Sequence, residues 1–213
     1  MIEPPRPVRL HTVSTAPNPR RVAAFMAAKG ISLPSVEYDM GARAHYAPEY
    51  VAKAGRPVIP ALELETGEFL TETVAICRYL EALHPETPLF GADPLGGARI
   101  EMWQRRAEFE MLLPVAAVFR HSHPAMAGLE AQVPDWAQAN RVRVLKGFGM
   151  LNDRLGVSAH LGGDAFSIAD ITAWITVDFS RVTRIAVPPE MTALTQWRDR
   201  LALMPCFARP AKG

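Results

Sequence analysis

The stretch IPALELETGEFLTETVAICRYL, Ile59 to Leu80, changes its hydrophobic period halfway along. Leu62 and Leu64 alternate with Glu63 and Glu65, the pattern of a half-buried strand. Thr66-Gly67 supplies a tight turn, and Phe69-Leu70-Thr71 returns antiparallel. From Thr73 the apolar residues Ile76, Tyr79, Leu80 and Leu83 recur at helical spacing, and His84-Pro85 ends the helix. Pro60 opens the first strand, where a residue without an N–H forfeits no ladder bond. A hairpin that runs straight into a helix, with a proline at its start and Glu72-Thr73 at the helix head, is the feature to explain.

Upstream, VRLHTV at 8–13 places Val8, Leu10 and Thr12 on one side of a strand and Arg9 and His11 on the other. STAPNP then breaks the chain, and a helix is predicted from about Arg20 to the stop at Gly30, with Val22, Phe25 and Met26 on its inner face. SVEYD at 35–39 alternates again, and a polar loop follows. The order is therefore β-α-β followed by β-β-α, an α/β domain over 1–84. Residues 85–97, rich in Pro and Gly, read as a linker. From 98 to 213 the pattern is all-helical. Val144, Phe148, Leu151 and Leu155 line one face, Ile168, Ile171, Thr172 and Ile175 a second, and Leu194, Trp197, Leu201 and Met204 a third. Pro114 predicts a kink in a long helix over 98–120. Ser167 and Asp170 in FSIADITAW stand three apart at a helix head and form a capping box, a structural motif to which no chemistry is assigned.

With 23 basic and 22 acidic residues the net charge is +1, which gives no reason to expect nucleic acid or an anionic membrane surface as a partner. No apolar run approaches the roughly 18 residues of a membrane span. MIEPPRPVRL has no apolar core, so no secretory signal is expected, and two distant cysteines, Cys77 and Cys206, point to a reducing cytoplasm. His121 and His123 form an H-x-H pair without a further ligand at suitable spacing, so no metal is expected.

The β-α-β-β-β-α order with a strand-opening proline is the pattern of the thioredoxin-like fold. If the Ile59–Pro60 bond is cis, the chain turns there and the backbone N–H and C=O of Ile59 can pair with a short extended peptide as with one more strand. The helix head at Thr73 attracts a carboxylate, and the Glu72 side chain can hold an ammonium beside it. A ligand with ammonium and carboxylate on one carbon, followed by a peptide, meets both demands, and glutathione is such a ligand. AGRPVIPALELETGEFLTETVAICRYLE resembles the glutathione-site segment of cytosolic glutathione transferases. PNPRRVAAFMAAKGI, EMWQRRAEFEMLLPVAAVFRHSHP, FSIADITAW and LTQWRDRL resemble further segments of the same family, in the same order. The resemblance implies a thioredoxin-like N-terminal domain followed by an all-α C-terminal domain, assembled as a homodimer. It implies conjugation of the glutathione thiolate to a small electrophile, with glutathione-dependent disulfide or peroxide reduction, or a non-catalytic binding module, as alternatives. It also implies that Ile59, ahead of Pro60, pairs with the cysteinyl unit, that Glu72 and Thr73 hold the γ-glutamyl end, and that His45, with Arg43 as its rival, meets the glycine carboxylate.

The chain departs from the family in the turn after the first strand, Ser14 to Pro19, where the serine that usually serves the thiolate is replaced by Ala16. Without a cysteine there, dithiol chemistry is excluded. Ser14, Thr15 and Asn18 are donors in this turn; Thr15 and Asn18 are the candidates to hydrogen-bond the thiolate, and turn formation also accounts for their presence.

Overall fold

A computed structural model of the chain describes residues 3–208, in two compact units, Met1–Thr87 and Pro88–Gly213. The first unit holds β1 (Pro7–Thr12), α1 (Pro17–Ala28), β2 (Ser35–Glu37), α2 (Pro48–Ala54), β3 (Ala61–Leu64), β4 (Phe69–Thr71) and α3 (Thr73–Leu83). Its four strands lie in the order β2-β1-β3-β4, with β1 parallel to β2 and both neighbours of β3, β1 and β4, antiparallel to it. This is the thioredoxin-like arrangement that the sequence predicts. Leu10, Leu62 and Leu64 are buried with Val22, Phe25 and Met26 of α1 and Ile76 and Leu80 of α3.

The differences from the sequence reading have physical causes. The first helix begins at Pro17, three residues before the expected start, because Pro17 and Pro19 sit in the first turn, where a missing N–H breaks no helical bond. The polar loop before Pro60 contains α2, opened by Pro48 and closed by Gly55 at φ +76°, a left-handed position that glycine adopts without strain. That helix covers the second face of the sheet, which is why His11 is buried although it points away from Leu10. His11 lies among Tyr38, Tyr50 and Phe69, donating or accepting at Tyr38 Oη (3.0 Å) and meeting Glu63 Oε2 at 3.2 Å. Burial holds its imidazole below the ordinary histidine pKa, the Glu63 carboxylate opposing that shift. Lys29, at the end of α1, is buried with its ammonium on the Thr87 carbonyl and 2.7 Å from Glu81 of α3.

The second unit contains α4 (Pro94–Arg106), α5 (Leu113–Ser122), α6 (Pro134–Leu155), α7 (Ile168–Ser180) and α8 (Thr192–Ala202). Where a kink was expected at Pro114, a π-helical segment, Ala107–Leu112, joins α4 to α5. Proline cannot donate to the carbonyl four residues earlier, that of Glu110, and its ring would collide with it; widening the preceding turns relieves both problems. Opposite this segment α6 carries Gly147, where a Cβ would lie 2.9 Å from the Glu110 carbonyl oxygen. The helices α6, α7 and α8 bury Val144, Phe148 and Leu151, then Ile168, Ile171, Thr172 and Ile175, then Leu194, Trp197 and Leu201, whereas Leu155 at the end of α6 and Met204 beyond the end of α8 are only partly buried. The capping box is formed at the head of α7.

Candidate functional site

The sheet register brings three segments out at one end. Ala61 pairs with His11 on one side and with Thr71 on the other. Ile59, two residues before Ala61, therefore leaves the sheet beside Val13 and Thr73, two residues beyond those partners. The turn at Ser14–Ala16, the segment ahead of Pro60 and the head of α3 are thus gathered at one edge of the first unit. The Ile59–Pro60 peptide bond is cis. Because β3 begins at Ala61, the backbone groups of Ile59 stand outside both ladders.

At the head of α3, Glu72 occupies the N-cap at φ +68° and ψ 118°. For a residue with a Cβ this conformation costs about 1–3 kcal/mol and persists only where its surroundings enforce it. Plain helix capping does not account for it, since no side chain caps α3 and no acidic residue stands in its first turn. The Glu72 carboxylate is exposed, with Arg56 Nη1 at 3.8 Å, a surface pair of small energetic value. Thr73, the next residue, is buried. An exposed carboxylate therefore stands directly beside a helix end whose open N–H groups attract an anion.

In the turn, Ser14 donates both its N–H and its Oγ hydrogen to Glu37 Oε1, at 2.7 and 2.9 Å, so its hydroxyl is committed to β2. Thr15 is exposed. Ala16 is the N-cap of α1, in extended conformation, with no side-chain cap. Of the three N–H groups that the first helical turn leaves open, Pro17 and Pro19 lack two, and Arg20 already donates to the Ala16 carbonyl. The Asn18 amide is the one that remains. The Asn18 side chain accepts from Arg21 Nη1 at 3.2 Å through Oδ1, and its NH₂ group is a second donor at this position. Thr15 and Asn18 lie in the same turn, and the arrangement gives Asn18 two donors against one hydroxyl for Thr15.

His45 and Arg43 differ sharply. His45 is buried in the short 3-10 turn Ala44–Tyr46, its Nδ1 without a hydrogen-bond partner, and burial reinforced by the Arg43 charge holds its pKa low. Its ring is therefore neutral near pH 7. Arg43 is exposed at φ +55° and lies over the Tyr46 ring. Cys77 is fully buried and takes part in no disulfide. The two histidines of the H-x-H pair tie a loop together: His121 Nδ1 accepts from the Val133 N–H and His123 Nδ1 from the Ala125 N–H. Among the described residues no group of three or more His, Cys, Asp or Glu side chains is placed to hold a metal ion, and no helix is long and apolar enough to cross a membrane.

Residues 10–88 match the family described as glutathione S-transferase, N-terminal domain, and residues 115–205 the one described as glutathione S-transferase, C-terminal domain. Glutathione S-transferase 2 of Saccharomyces cerevisiae is 32% identical over 201 residues, covering 92% of this chain and 86% of that protein. The disulfide-bond oxidoreductase YfcG of Escherichia coli is 26% identical over 209 residues, covering 92% of this chain and 89% of its own. Among solved structures, a glutathione S-transferase domain-containing protein from Marinobacter aquaeolei superposes with a TM-score of 0.89 at 29% identity, over 94% of this chain and all of that one. With both domains matched in order and the yeast relative spanning nearly the full length, the chain belongs to the glutathione S-transferase family.

Proposed function

We propose that the chain binds glutathione at this edge of its first unit and transfers the ionised thiol to a small electrophile. The observation that carries this reading is Glu72: an acidic residue in a costly backbone conformation, exposed, at a helix head that nothing caps. A γ-glutamyl group supplies both missing partners, its ammonium for the carboxylate and its carboxylate for the open N–H groups of α3. The Ile59 backbone would then pair with the cysteinyl unit, and the glycine carboxylate would reach the loop of Arg43 and His45, where Arg43 brings the charge and His45 an unpartnered ring nitrogen. The thiol would come to the head of α1, within reach of Thr15 and of the two donors of Asn18.

The test is calorimetric titration with glutathione. Glu72→Gln removes a charge-assisted hydrogen bond and is expected to cost about 1.5–3 kcal/mol, roughly a ten- to hundredfold weakening. Affinity unchanged in this variant would contradict the assignment. Glutathione-dependent disulfide reduction is the second reading. It is favoured by the likeness to YfcG along most of the chain and by the turn itself, where Ala16 stands in place of a serine and Asn18 offers the donors. A binding module without chemistry is the third, and Ala16 is the residue that speaks for it.

A further inference from the structure

Tyr50 lies on α2, outside every segment assigned to the ligand, and its ring is almost fully buried. It packs edge-on against Tyr38 and Phe69, with centroids 5.1 and 6.1 Å away, and beside His11 at 5.8 Å. The apolar cluster around it includes Ala54, Ala61 and Ile59 itself. Its hydroxyl does not end in this cluster. It donates to the carbonyl oxygen of Val58 at 2.5 Å. Burial, with Tyr38 adding to it, pushes the phenol far above the ordinary tyrosine pKa, so the hydroxyl keeps its proton and stays a donor.

The acceptor is what gives this bond its consequence. The Val58 carbonyl and the Ile59 N–H belong to the same planar peptide unit, and in a trans peptide they point in opposite directions. Holding the carbonyl against Tyr50 therefore aims the Ile59 N–H away from α2, towards the open side of the sheet edge. From the other side, Val58 donates its own N–H to the Arg56 carbonyl at 2.9 Å. The segment before Pro60 lies outside the ladders of β3, and this hydroxyl ties its peptide plane to the folded interior.

We propose that Tyr50 is a positioning residue for ligand binding: its hydroxyl orients the Val58–Ile59 peptide so that the Ile59 N–H is presented, already aimed, to the backbone of a bound peptide. The inference rests on the glutathione reading of the site, and it adds to that reading a residue from the opposite face of the sheet. A preset donor spares the ligand the ordering that a freely rotating peptide unit would require on binding.

The experiment compares the parent, Tyr50→Phe and Tyr38→Phe. Both variants remove a single hydroxyl from the same buried cluster, but Tyr38 bonds His11 and not the Val58 carbonyl. Two quantities are read: glutathione affinity by calorimetry, and the amide nitrogen order parameter of Ile59 by relaxation in the ligand-free protein. The expected result for Tyr50→Phe is a weakening of about five- to tenfold, the size of one neutral hydrogen bond, together with a lowered order parameter at Ile59. Tyr38→Phe is expected to stay within about twofold of the parent, with Ile59 unaffected. Parent-like affinity in Tyr50→Phe, or equal losses in the two variants, overturns the inference and leaves the glutathione reading standing. A parent that binds no glutathione overturns that reading instead, and an Ile59 order parameter that is the same in all three proteins overturns the orienting role whatever the affinities are.

Discussion

Asp170→Ala is expected to destabilise the protein by about 3–5 kcal/mol, the range for breaking a buried charged network. The carboxylate is fully buried and accepts from four donors. Oδ2 takes the Ser167 N–H at 3.1 Å and the Ser167 Oγ hydrogen at 2.9 Å, while Oδ1 takes the Leu161 N–H at 3.0 Å and the Trp197 indole N–H at 3.3 Å. The same Oδ1 lies 3.4 Å from His160 Nδ1. One side chain thus joins the loop before α7, the cap of α7 and the inner face of α8. Truncating it to a methyl leaves two backbone N–H groups and an indole N–H buried without acceptors, each costing about 1–3 kcal/mol when stranded. Denaturant unfolding followed by fluorescence measures the effect, and a loss below about 1 kcal/mol would contradict the role given to Asp170.

The second large effect is expected at the thiol. Asn18→Ala removes a donor whose direction is fixed by Arg21, while the backbone N–H at the same position remains. Thr15→Ala removes one exposed hydroxyl. Each variant should reduce turnover only in part, Asn18→Ala by more. The double variant should lose most of it, on the order of a hundredfold, since one bond donated to an anion is worth about 1.5–3 kcal/mol. Turnover is measured with an activated aryl halide as electrophile, and calorimetry checks that glutathione still binds through Glu72 and Ile59. If the double variant turns over at the parent rate, neither residue serves the thiolate.

Much of this was legible in the chain because the hydrophobic period is unambiguous where both ends of an element are marked. Leu62 and Leu64 alternate against glutamates, Ile76, Leu80 and Leu83 step by helical turns, and the change of period between them locates the β4–α3 junction to within a residue. Proline was the misleading signal. Pro17 and Pro19 read as breakers although the first turn of a helix accepts them, and with Pro48 the same preference opened α2, whose seven residues are too few to show a period. Pro48 and Gly55 at its two ends were the available markers. The burial of His11 follows from α2 and so was hidden with it.

At the site, the acidic-hydroxyl pair Glu72-Thr73 could be picked out because its neighbours are close in sequence. The backbone conformation of Glu72, which argues against plain capping, could not. The commitment of Ser14 depends on Glu37, 23 residues away, and a contact of that range leaves no local trace. The same is true of the donor count at Asn18, which emerges only once the helix is seen to start at Pro17 and Arg21 is seen to hold the Oδ1. The buried, neutral ring of His45 could not be read from its place in a polar loop, where an exposed cation such as Arg43 looks no different.

Glutathione bound to the first unit is expected to set its sulfur at the head of α1, where the anion is favoured. The ultraviolet absorbance of the bound thiolate, followed against pH in the glutathione complex, tests it directly. A free thiol ionises near pKa ~8.5 and is only a few per cent thiolate at neutral pH. A helix N-terminus with the donors of Asn18 and Thr15 is expected to lower that value by about one to two units. Most of this shift should disappear in the double variant. A bound thiol that titrates no lower than free glutathione would contradict the claim and leave a glutathione-binding protein without the chemistry of a transferase.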